Sequence, residues 1–444
     1  MPMAPLDNGN RVIDEFLTVL SRRRAMLAAL GLLALVAGCD SDSKDAAQDR
    51  IRTEQTTITA LVWAPDWPQE MQEIAAAFTR AHPQIKVDVQ FMIGNSVEEN
   101  LKPKVAANRL PDLISINPNA YAADLAEQGI LVDVGRSAAW ENMLDRLKPD
   151  WTAPSGRRYG VAGGVAATLI YYNKEMFRRA GITTPPSNFE QFLAVCEQLK
   201  KAGYTPLVLD GGFPNMLANG PFSYGFANNV AARQPDWRRQ LAAGQLNLNT
   251  PEVADIFARI KQLPARGYVQ PGFMNTGYDD GIKLFAEGRA AMAFEGTWAA
   301  GRLMADTAVP VGVFVPPWNA PGKQLVPVLG SETGFAVCHT RHRDAALLFL
   351  DYLVGQGYPM QQMKRKNIPS MKRLAAPAVN DPQLTATIAQ ISAAPQAVPP
   401  YYVFLPAAAI ELLHSLLQEV MSGQTTPQQA AARLDAALDH RARR

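Results

Sequence analysis

Apolar residues recur along this chain at two alternating spacings, and this alternation limits the folds available to it more than any other feature. Behind Pro68, apolar residues recur at the three-and-four spacing of a helix with one buried face: Met71, Ile74, Ala75 and Phe78. The next apolar residues alternate with polar ones, as in a half-buried strand: Ile85, Val87, Val89 and Phe91. Together with an apolar strand predicted over 57–63, they form a strand–helix–strand unit, which predicts parallel pairing.

The same alternation continues to the end of the chain. Further strands are predicted over 113–116, 168–172 and 290–294. Further helices are predicted over 120–128, 189–201 and 278–287, and a last one begins at Thr426-Pro427. We therefore predict an α/β fold of mainly parallel sheets flanked by helices. Two cores are expected, because 444 residues exceed what one hydrophobic core normally supports.

Composition and motif searches exclude several classes of function. With 48% hydrophobic residues the chain is not a disordered tail protein, and a net charge of +2 gives no reason to expect a nucleic-acid partner. Five His and three Cys are scattered, so no metal site is predicted. The phosphate-binding, dinucleotide-binding, serine-hydrolase and zinc-protease motifs are absent from the sequence, and we predict neither catalytic residues nor a cofactor.

The amino-terminal residues are typical of an export signal rather than of a folded element. Three arginines at 22–24 precede an apolar run that is too short to span a bilayer and that ends at Gly38-Cys39. Residues 35–39, Leu-Val-Ala-Gly-Cys, resemble the bacterial lipobox, which implies cleavage before Cys39 and lipid attachment to it. Asp40 resembles the signal that retains lipoproteins at the cytoplasmic membrane.

We thus predict a signal peptide over 1–38 and a lipid-anchored flexible tether over 39–55. The alternatives are an uncut membrane anchor and, for the route, either general or twin-arginine export. Of the other two cysteines, Cys196 lies in a helical pattern and Cys338 ends an apolar strand. Both are interpreted as buried small hydrophobes, and whether they are bridged is left open.

Aromatic and amide residues stand at the ends of three predicted strands, where α/β folds bind ligands. They are Trp63, Asp66 and Trp67 after the first strand, Asn117 and Asn119 after the third, and Glu295 and Trp298 after a late one. Indole rings cover the C–H surfaces of a sugar, while carboxylates and amides bind its hydroxyl groups. The pattern favours a neutral polyhydroxylated ligand, with core packing of each Trp as the alternative.

Ordered segments of the chain resemble the extracellular solute-binding proteins of ABC importers, family 1, in the branch that carries sugars. The segments that carry the resemblance are 61–63, 111–114, 124–131, 159–161, 169–177, 285–292 and 296–298. The resemblance implies two lobes of the type II periplasmic-binding-protein fold, hinged by crossing segments and closing over the ligand. Small residues at Ala162-Gly163-Gly164 make Gly163 a further ligand-binding candidate.

The resemblance also implies lobe limits, location and partners. We expect a first lobe over 56–163 and 316–366 and a second over 164–315 and 367–444. The expected protein is a monomer in the periplasm or cell envelope, anchored to the cytoplasmic membrane, and not an enzyme. It captures a mono- or oligosaccharide with high affinity and delivers it to the transmembrane subunits of an ABC permease.

Three alternative functions remain: a cell-surface carbohydrate-active enzyme, a binding protein for another small polar solute, and a receptor that serves a sensor. Which sugar binds, and how tightly, does not follow from the sequence.

Overall fold

The computed structural model describes residues 55–64, 67–93, 97–305, 309–357, 368–369, 371–372 and 382–438. The predicted signal peptide, Cys39 and nearly all of the predicted tether lie outside the described residues, and so does Asp66. In the described part, none of the helices combines the length and the apolar composition needed to cross a bilayer.

Eleven strands are numbered in chain order through the described residues. They are β1 Thr56–Val62, β2 Ile85–Phe91, β3 Leu113–Ile116, β4 Gly164–Ala166, β5 Thr168–Asn173, β6 Leu207–Val208, β7 Met292–Gly296, β8 Val311–Phe314, β9 Gly330–Ser331, β10 Gly334–Val337 and β11 Ile368–Pro369.

The α-helices of the described residues are numbered in the same way. They are α1 Pro68–Ala81, α2 Val97–Ala106, α3 Ala120–Glu127, α4 Ala138–Asn142, α5 Lys174–Arg179, α6 Phe189–Lys201, α7 Pro214–Leu217, α8 Ser223–Phe226, α9 Trp237–Ala242, α10 Pro251–Ala265, α11 Tyr278–Ala286, α12 Ala300–Ala305, α13 Arg343–Tyr352, α14 Pro382–Ser392, α15 Tyr401–Phe404, α16 Ala407–Ser422 and α17 Pro427–Ala436. Short 3₁₀ turns lie at Asp145–Trp151, Phe273–Asn275 and Thr297–Ala299, and π-helical turns at Ala218–Phe222, Ala227–Ala231 and Leu353–Gly357.

The first sheet follows the predicted strand–helix–strand plan. Its order is β10-β3-β1-β2, in which β1 pairs in parallel with both β2 and β3, and β10 is antiparallel to β3. Helix α1 covers it with the four residues predicted to face inward, all of them buried. Phe78 meets Phe349 of α13 with ring centroids 4.9 Å apart, so the two helices close one core.

The second sheet corrects the prediction of a mainly parallel arrangement in each lobe. Its order is β6-β7-β5-β8, and only β6 and β7 run in parallel, whereas β5 is antiparallel to both β7 and β8. Alternation of strands and helices shows which elements separate two strands, but not from which end the chain re-enters the sheet. The alternation therefore does not determine strand direction, and the predicted parallel direction is wrong for β5.

A third, small sheet of order β11-β4-β9 joins the two cores. Its strands are two or three residues long, and both outer strands are antiparallel to β4. Val165 of β4 pairs with Ser331 of β9, and the amide of Glu332 donates to the carbonyl of Gly164 at 3.0 Å. These short strands are where the chain crosses between the two cores.

Each core has its own set of buried side chains. The first contains Phe78, Trp151 and Cys338, and the second contains Cys196 and Trp318. The two cysteines are unbridged and buried in different cores, as expected of small hydrophobes. Burial raises the pKa of both thiols, which keeps them protonated.

The limits of the two lobes stay a prediction. The buried side chains place some residues on the other side of those limits: Trp318, Val326 and Val328 pack in the second core, and Met371 packs in the first.

Candidate ligand-binding site between the two lobes

Trp63 and Asn117 lie at the same edge of the first sheet. Ala60 pairs with Leu113 and Leu61 with Ile114, so the next residues of these parallel strands reach that edge together. Trp63 directly follows β1 and is half-buried. Trp67, in contrast, is 6% exposed and packs in the first core.

Asn117 and Asn119 are tied into a cluster that also contains Glu98 and Thr333, hereafter the carboxylate–amide cluster. Glu98 Oε1 accepts from the Nδ2 atoms of Asn117 and Asn119, at 3.2 and 2.7 Å. Asn117 Oδ1 accepts from Thr333 Oγ1 at 2.6 Å. Asn119 also caps α3, because its Oδ1 accepts from the amide of Ala122 at 3.1 Å.

The sequence does not indicate Glu98 or Thr333 as site residues, because their hydrogen bonds join residues that are far apart in the chain. Glu98 lies in the first turn of α2. Acidic residues are common at that position in any helix, because a negative charge there interacts favourably with the helix dipole. Thr333 lies two residues beyond the crossing strand β9. Burial, with a smaller contribution from Glu98, raises the pKa of the neighbouring Tyr121.

The second lobe contributes residues 295–298, hereafter the indole loop. The strand β7 spans Met292–Gly296 instead of the predicted 290–294, so Glu295 lies inside the strand, opposite Leu169 of β5, rather than after it. Glu295 is 1% exposed, and Trp298 is half-buried. The Trp298 ring rests on Gly296 so closely that a Cβ at Gly296 would overlap it.

Thr297 connects the indole loop to the crossing sheet. Its Oγ1 donates to the carbonyl of Val165 at 3.2 Å and accepts from the amide of Ala167 at 3.4 Å. On the other side, Thr333 lies two residues after Ser331, the partner of Val165. The carboxylate–amide cluster and the indole loop therefore adjoin the same crossing sheet, and Gly163 immediately precedes it.

Asp210 joins the second-lobe edge, although no sequence signal marked it. Val208 of β6 pairs with Ala293 of β7, and the two strands are parallel, so Asp210 and Glu295 follow at the same end of the sheet. Asp210 is 4% exposed, and among the described residues nothing donates a hydrogen bond to its Oδ1. Burial and, secondarily, the charge of Asp280 raise the pKa of this carboxyl to about 8. Burial thus favours the protonated form of this carboxyl, which can donate as well as accept.

The lobes also meet at α2 and the carboxyl-terminal helices. Lys102 Nζ lies 3.3 Å from Glu411 Oε1 of α16. Tyr401 of α15 has a raised pKa, mainly from burial and further from the charge of Glu98. Helix α2 thus bears the carboxylate of the first-lobe cluster and faces the second lobe.

The chemistry of this region is that of binding by hydrogen bonds and ring contact. Its groups are indoles, amides, carboxyls and a hydroxyl. Nowhere in the described part of the chain do three or more His, Cys, Asp or Glu side chains gather as they would around a metal ion.

Two cores joined by short crossing strands, with polar side chains and indoles beside the crossing, define a two-lobed solute-binding protein. The sequence profile of bacterial extracellular solute-binding proteins matches residues 64–358, and the chain belongs to this family. The family and its structural neighbours are binding proteins, which supports a non-enzymatic role at the level of the family.

Curated relatives are distant. A putative binding protein of Brucella abortus is 22% identical over 284 residues, or 61% of this chain, and the match spans 62% of that relative. The multiple sugar-binding protein of Streptococcus mutans is 21% identical, covering 75% of this chain and 78% of the relative. The melibiose/raffinose/stachyose-binding protein of Bacillus subtilis is 24% identical, covering 68% and 69%.

Solved structures share the fold. A chitin oligosaccharide binding protein superposes with a TM-score of 0.76 at 23% identity, covering 87% of this chain and 99% of that chain. The binding protein RafE, solved in complex with raffinose, superposes with a TM-score of 0.73 at 20% identity, covering 87% and 100%. The predicted two-lobed periplasmic-binding-protein fold is confirmed.

Proposed function

We propose that this protein is the sugar-binding component of an ABC importer, which captures a mono- or oligosaccharide between its lobes. The observation that carries the proposal is the half-buried Trp298, set beside Glu295 and joined through Thr297 to the crossing sheet. A sugar ring has apolar C–H faces that suit an indole and hydroxyl groups that suit carboxylates and amides. Relatives named as sugar-binding support the same ligand class.

The cleft groups also fit an uncharged ligand. Asn117 and Asn119 already donate to Glu98, so the negative charge of that carboxylate is partly compensated inside the cluster. Asp210 adds a carboxyl whose neutral form is favoured by burial, which raises its pKa. A charged ligand would need a side chain of opposite charge in the cleft that is not already paired. The hydroxyl groups of a sugar can instead join such a network, because each can donate and accept at once.

The remaining assignments are proposals that rest on the sequence and on the family. The ligand-contacting residues are Trp63, Asp66, Asn117, Asn119, Gly163, Glu295 and Trp298, and the structure adds Glu98, Thr333 and Asp210 as candidates. Trp67, also a sequence candidate, is buried in the first core, and we propose for it a packing role. Cys39 carries the lipid anchor, and the closed monomer delivers its ligand to the permease at the membrane of the cell envelope.

A ligand screen tests the proposal. A sugar that binds only the folded protein stabilises it by RT ln(1 + [L]/Kd), or about 2.7 kcal/mol at a hundred times Kd. We expect a rise of several degrees in the melting temperature with at least one sugar from a panel of raffinose, stachyose, chitin oligosaccharides and xylo-oligosaccharides. Quenching or enhancement of tryptophan fluorescence checks the affinity.

Amino acids, glycine betaine and inorganic anions serve as controls in the same screen. A melting shift with one of these and none with any sugar would show that the protein binds another class of polar solute. Release of smaller sugars from a labelled oligosaccharide would instead establish the enzymatic alternative.

A further inference from the structure

Helix α2 of the first lobe and helix α16 of the second lobe are each fixed in their own core. Leu101 of α2 is buried in the first core, and Leu413 of α16 is buried in the second. Lys102 directly follows Leu101, Glu411 lies two residues before Leu413, and both charged side chains are exposed. When one lobe rotates against the other, these two side chains therefore move with the helices that carry them.

Lys102 and Glu411 form an ion pair between the lobes, hereafter the interlobe ion pair. Lys102 Nζ lies 3.3 Å from Glu411 Oε1. One turn earlier on the same face of α2, Glu98 belongs to the carboxylate–amide cluster. One turn later on α16, His414 Nε2 lies 2.8 Å from Tyr401 Oη, and the raised pKa of Tyr401 comes from burial first and from the charge of Glu98 second. The ion pair therefore lies beside the proposed cleft, where α2 and the carboxyl-terminal helices come close.

The position of this pair between the lobes distinguishes it from an ion pair within one element. Lys201 and Glu197, 3.7 Å apart on α6, stay together however the lobes move. The interlobe ion pair forms only when α2 lies against α16, so its attraction is absent from any arrangement in which the lobes have separated. We propose that the interlobe ion pair controls the opening of the two lobes: it stabilises the arrangement in which α2 and α16 are in contact, and salt weakens this effect.

The expected size of the effect follows from the exposure of the two side chains. Lys102 and Glu411 expose 48% and 71% of their side chains, and exposed pairs of this kind change a population by about two- to fivefold. The Debye length falls from about 30 Å at 0.01 M salt to about 3 Å at 1 M, so most of this factor is lost at high salt. The consequence for affinity rests on the proposed function: a sugar held between the lobes binds the closed arrangement, so its affinity falls by up to the same factor.

Pulsed electron paramagnetic resonance tests the proposal without a ligand. Spin labels on cysteines introduced at the exposed Ala106 and Ser422, the last residues of α2 and α16, measure the distance between the two helices. Cys39→Ser, present in every variant of the full chain, prevents a third label, and Cys196 and Cys338 are buried. We expect a main population at the shorter distance at about 10 mM salt. At about 1 M salt, the ratio of the longer-distance to the shorter-distance population is expected to rise about two- to fivefold.

Variants of the pair assign this change to Lys102 and Glu411. Lys102→Gln is expected to produce the same rise at low salt and to abolish the salt dependence. Lys102→Glu, which faces Glu411 with a like charge, is expected to open the lobes further, and adding Glu411→Lys is expected to restore the wild-type distribution. Lys201→Gln, which breaks an exposed ion pair within α6, is the matched control and is expected to change nothing. Equal distributions for the wild type and Lys102→Gln would overturn the proposal, and so would a failure of the swapped pair to restore the wild-type distribution.

A sugar titration separates this proposal from the proposed function. The probe is the sugar among raffinose, stachyose, chitin oligosaccharides and xylo-oligosaccharides that gives the largest melting shift. Lys102→Gln is expected to bind it about two- to fivefold more weakly than the wild type at low salt, and equally well at high salt. If no sugar binds, the proposed function fails, and the distance measurement still decides on the ion pair. If both proteins bind the sugar equally at low salt and the distances are also unchanged, the ion pair fails and the proposed function stands.

Discussion

Replacing Trp298 with alanine is expected to lower the affinity for the cleft ligand by roughly 30-fold or more while leaving the fold intact. Removing a central aromatic anchor of a binding site typically costs about 2 kcal/mol or more, and 1.4 kcal/mol corresponds to about tenfold in affinity. Trp298 only borders the second core and is half-buried, so its loss does not open the centre of that core. Titration of the sugar found in the screen, with the melting temperature of the free protein as the fold check, measures both effects.

Two further variants distinguish the loss of the Trp298 ring contact with the ligand from a general disturbance of the indole loop. Trp298→Phe keeps an aromatic face and is expected to lose far less affinity than Trp298→Ala. Gly296→Ala places a Cβ where the Trp298 ring now lies and is expected to weaken binding by displacing that ring. Gly355→Ala, at a glycine with open space around it, is the matched control. Unchanged affinity in Trp298→Ala would remove this residue from the site.

Replacing Asp210 with asparagine is expected to stabilise the protein, by an amount that grows as the pH rises. The carboxyl has a pKa of about 8 in the folded protein against 3.8 as its ordinary value, because burial disfavours its charged form. Between these values the folded protein holds a proton that the unfolded chain releases, so this group lowers stability as the pH rises. Each pH unit in that window costs about 1.4 kcal/mol, and asparagine, which does not titrate, avoids this loss.

Urea unfolding at pH 4, 6 and 8 measures this effect. The two proteins are expected to have similar free energies of unfolding at pH 4, with the variant ahead by several kcal/mol at pH 8. Asp279→Asn, at an exposed carboxylate that pairs with Arg302, is the control and is expected to show no such trend. A variant that is less stable than the wild type at every pH would mean that the Asp210 carboxylate is ionised and held by partners.

Elements with a strong local pattern could be predicted from the sequence to within about two residues. Helix α6 begins at Phe189 because Asn188 caps it, its Oδ1 accepting from the amide of Gln191. The last helix α17 begins with a capping box in which Thr426 and Gln429 satisfy each other. In both cases the signal and the structure lie within a few residues, so no distant contact is needed to explain them.

Elements without a local pattern escaped prediction. The crossing strands are two or three residues long, too short to show a period, and β6 has only two residues. The register of β7 against β5 moved its start to Met292, because pairing with a neighbour decides where a strand begins. The direction of β5 in the second sheet depends likewise on the path of the whole chain.

The candidate site divides in the same way. Residues that directly follow or end a patterned strand, such as Trp63, Asn117 and Trp298, were open to prediction. Glu98 and Thr333 were not, because each reaches the site through hydrogen bonds between segments distant in the chain. Asp210 was not, because it follows β6, a strand of two residues with no readable pattern. Trp67 fitted the same sequence pattern as the candidate indoles, but in the structure it packs in the first core.

The most direct test of the central claim is a crystal structure of the protein purified from its own host, with no sugar added. The account predicts density for a sugar ring against the indole of Trp298, within hydrogen-bond distance of Glu295 and of the carboxylate–amide cluster. Density for a non-carbohydrate solute in the cleft, or a sugar bound only elsewhere on the molecule, would contradict it.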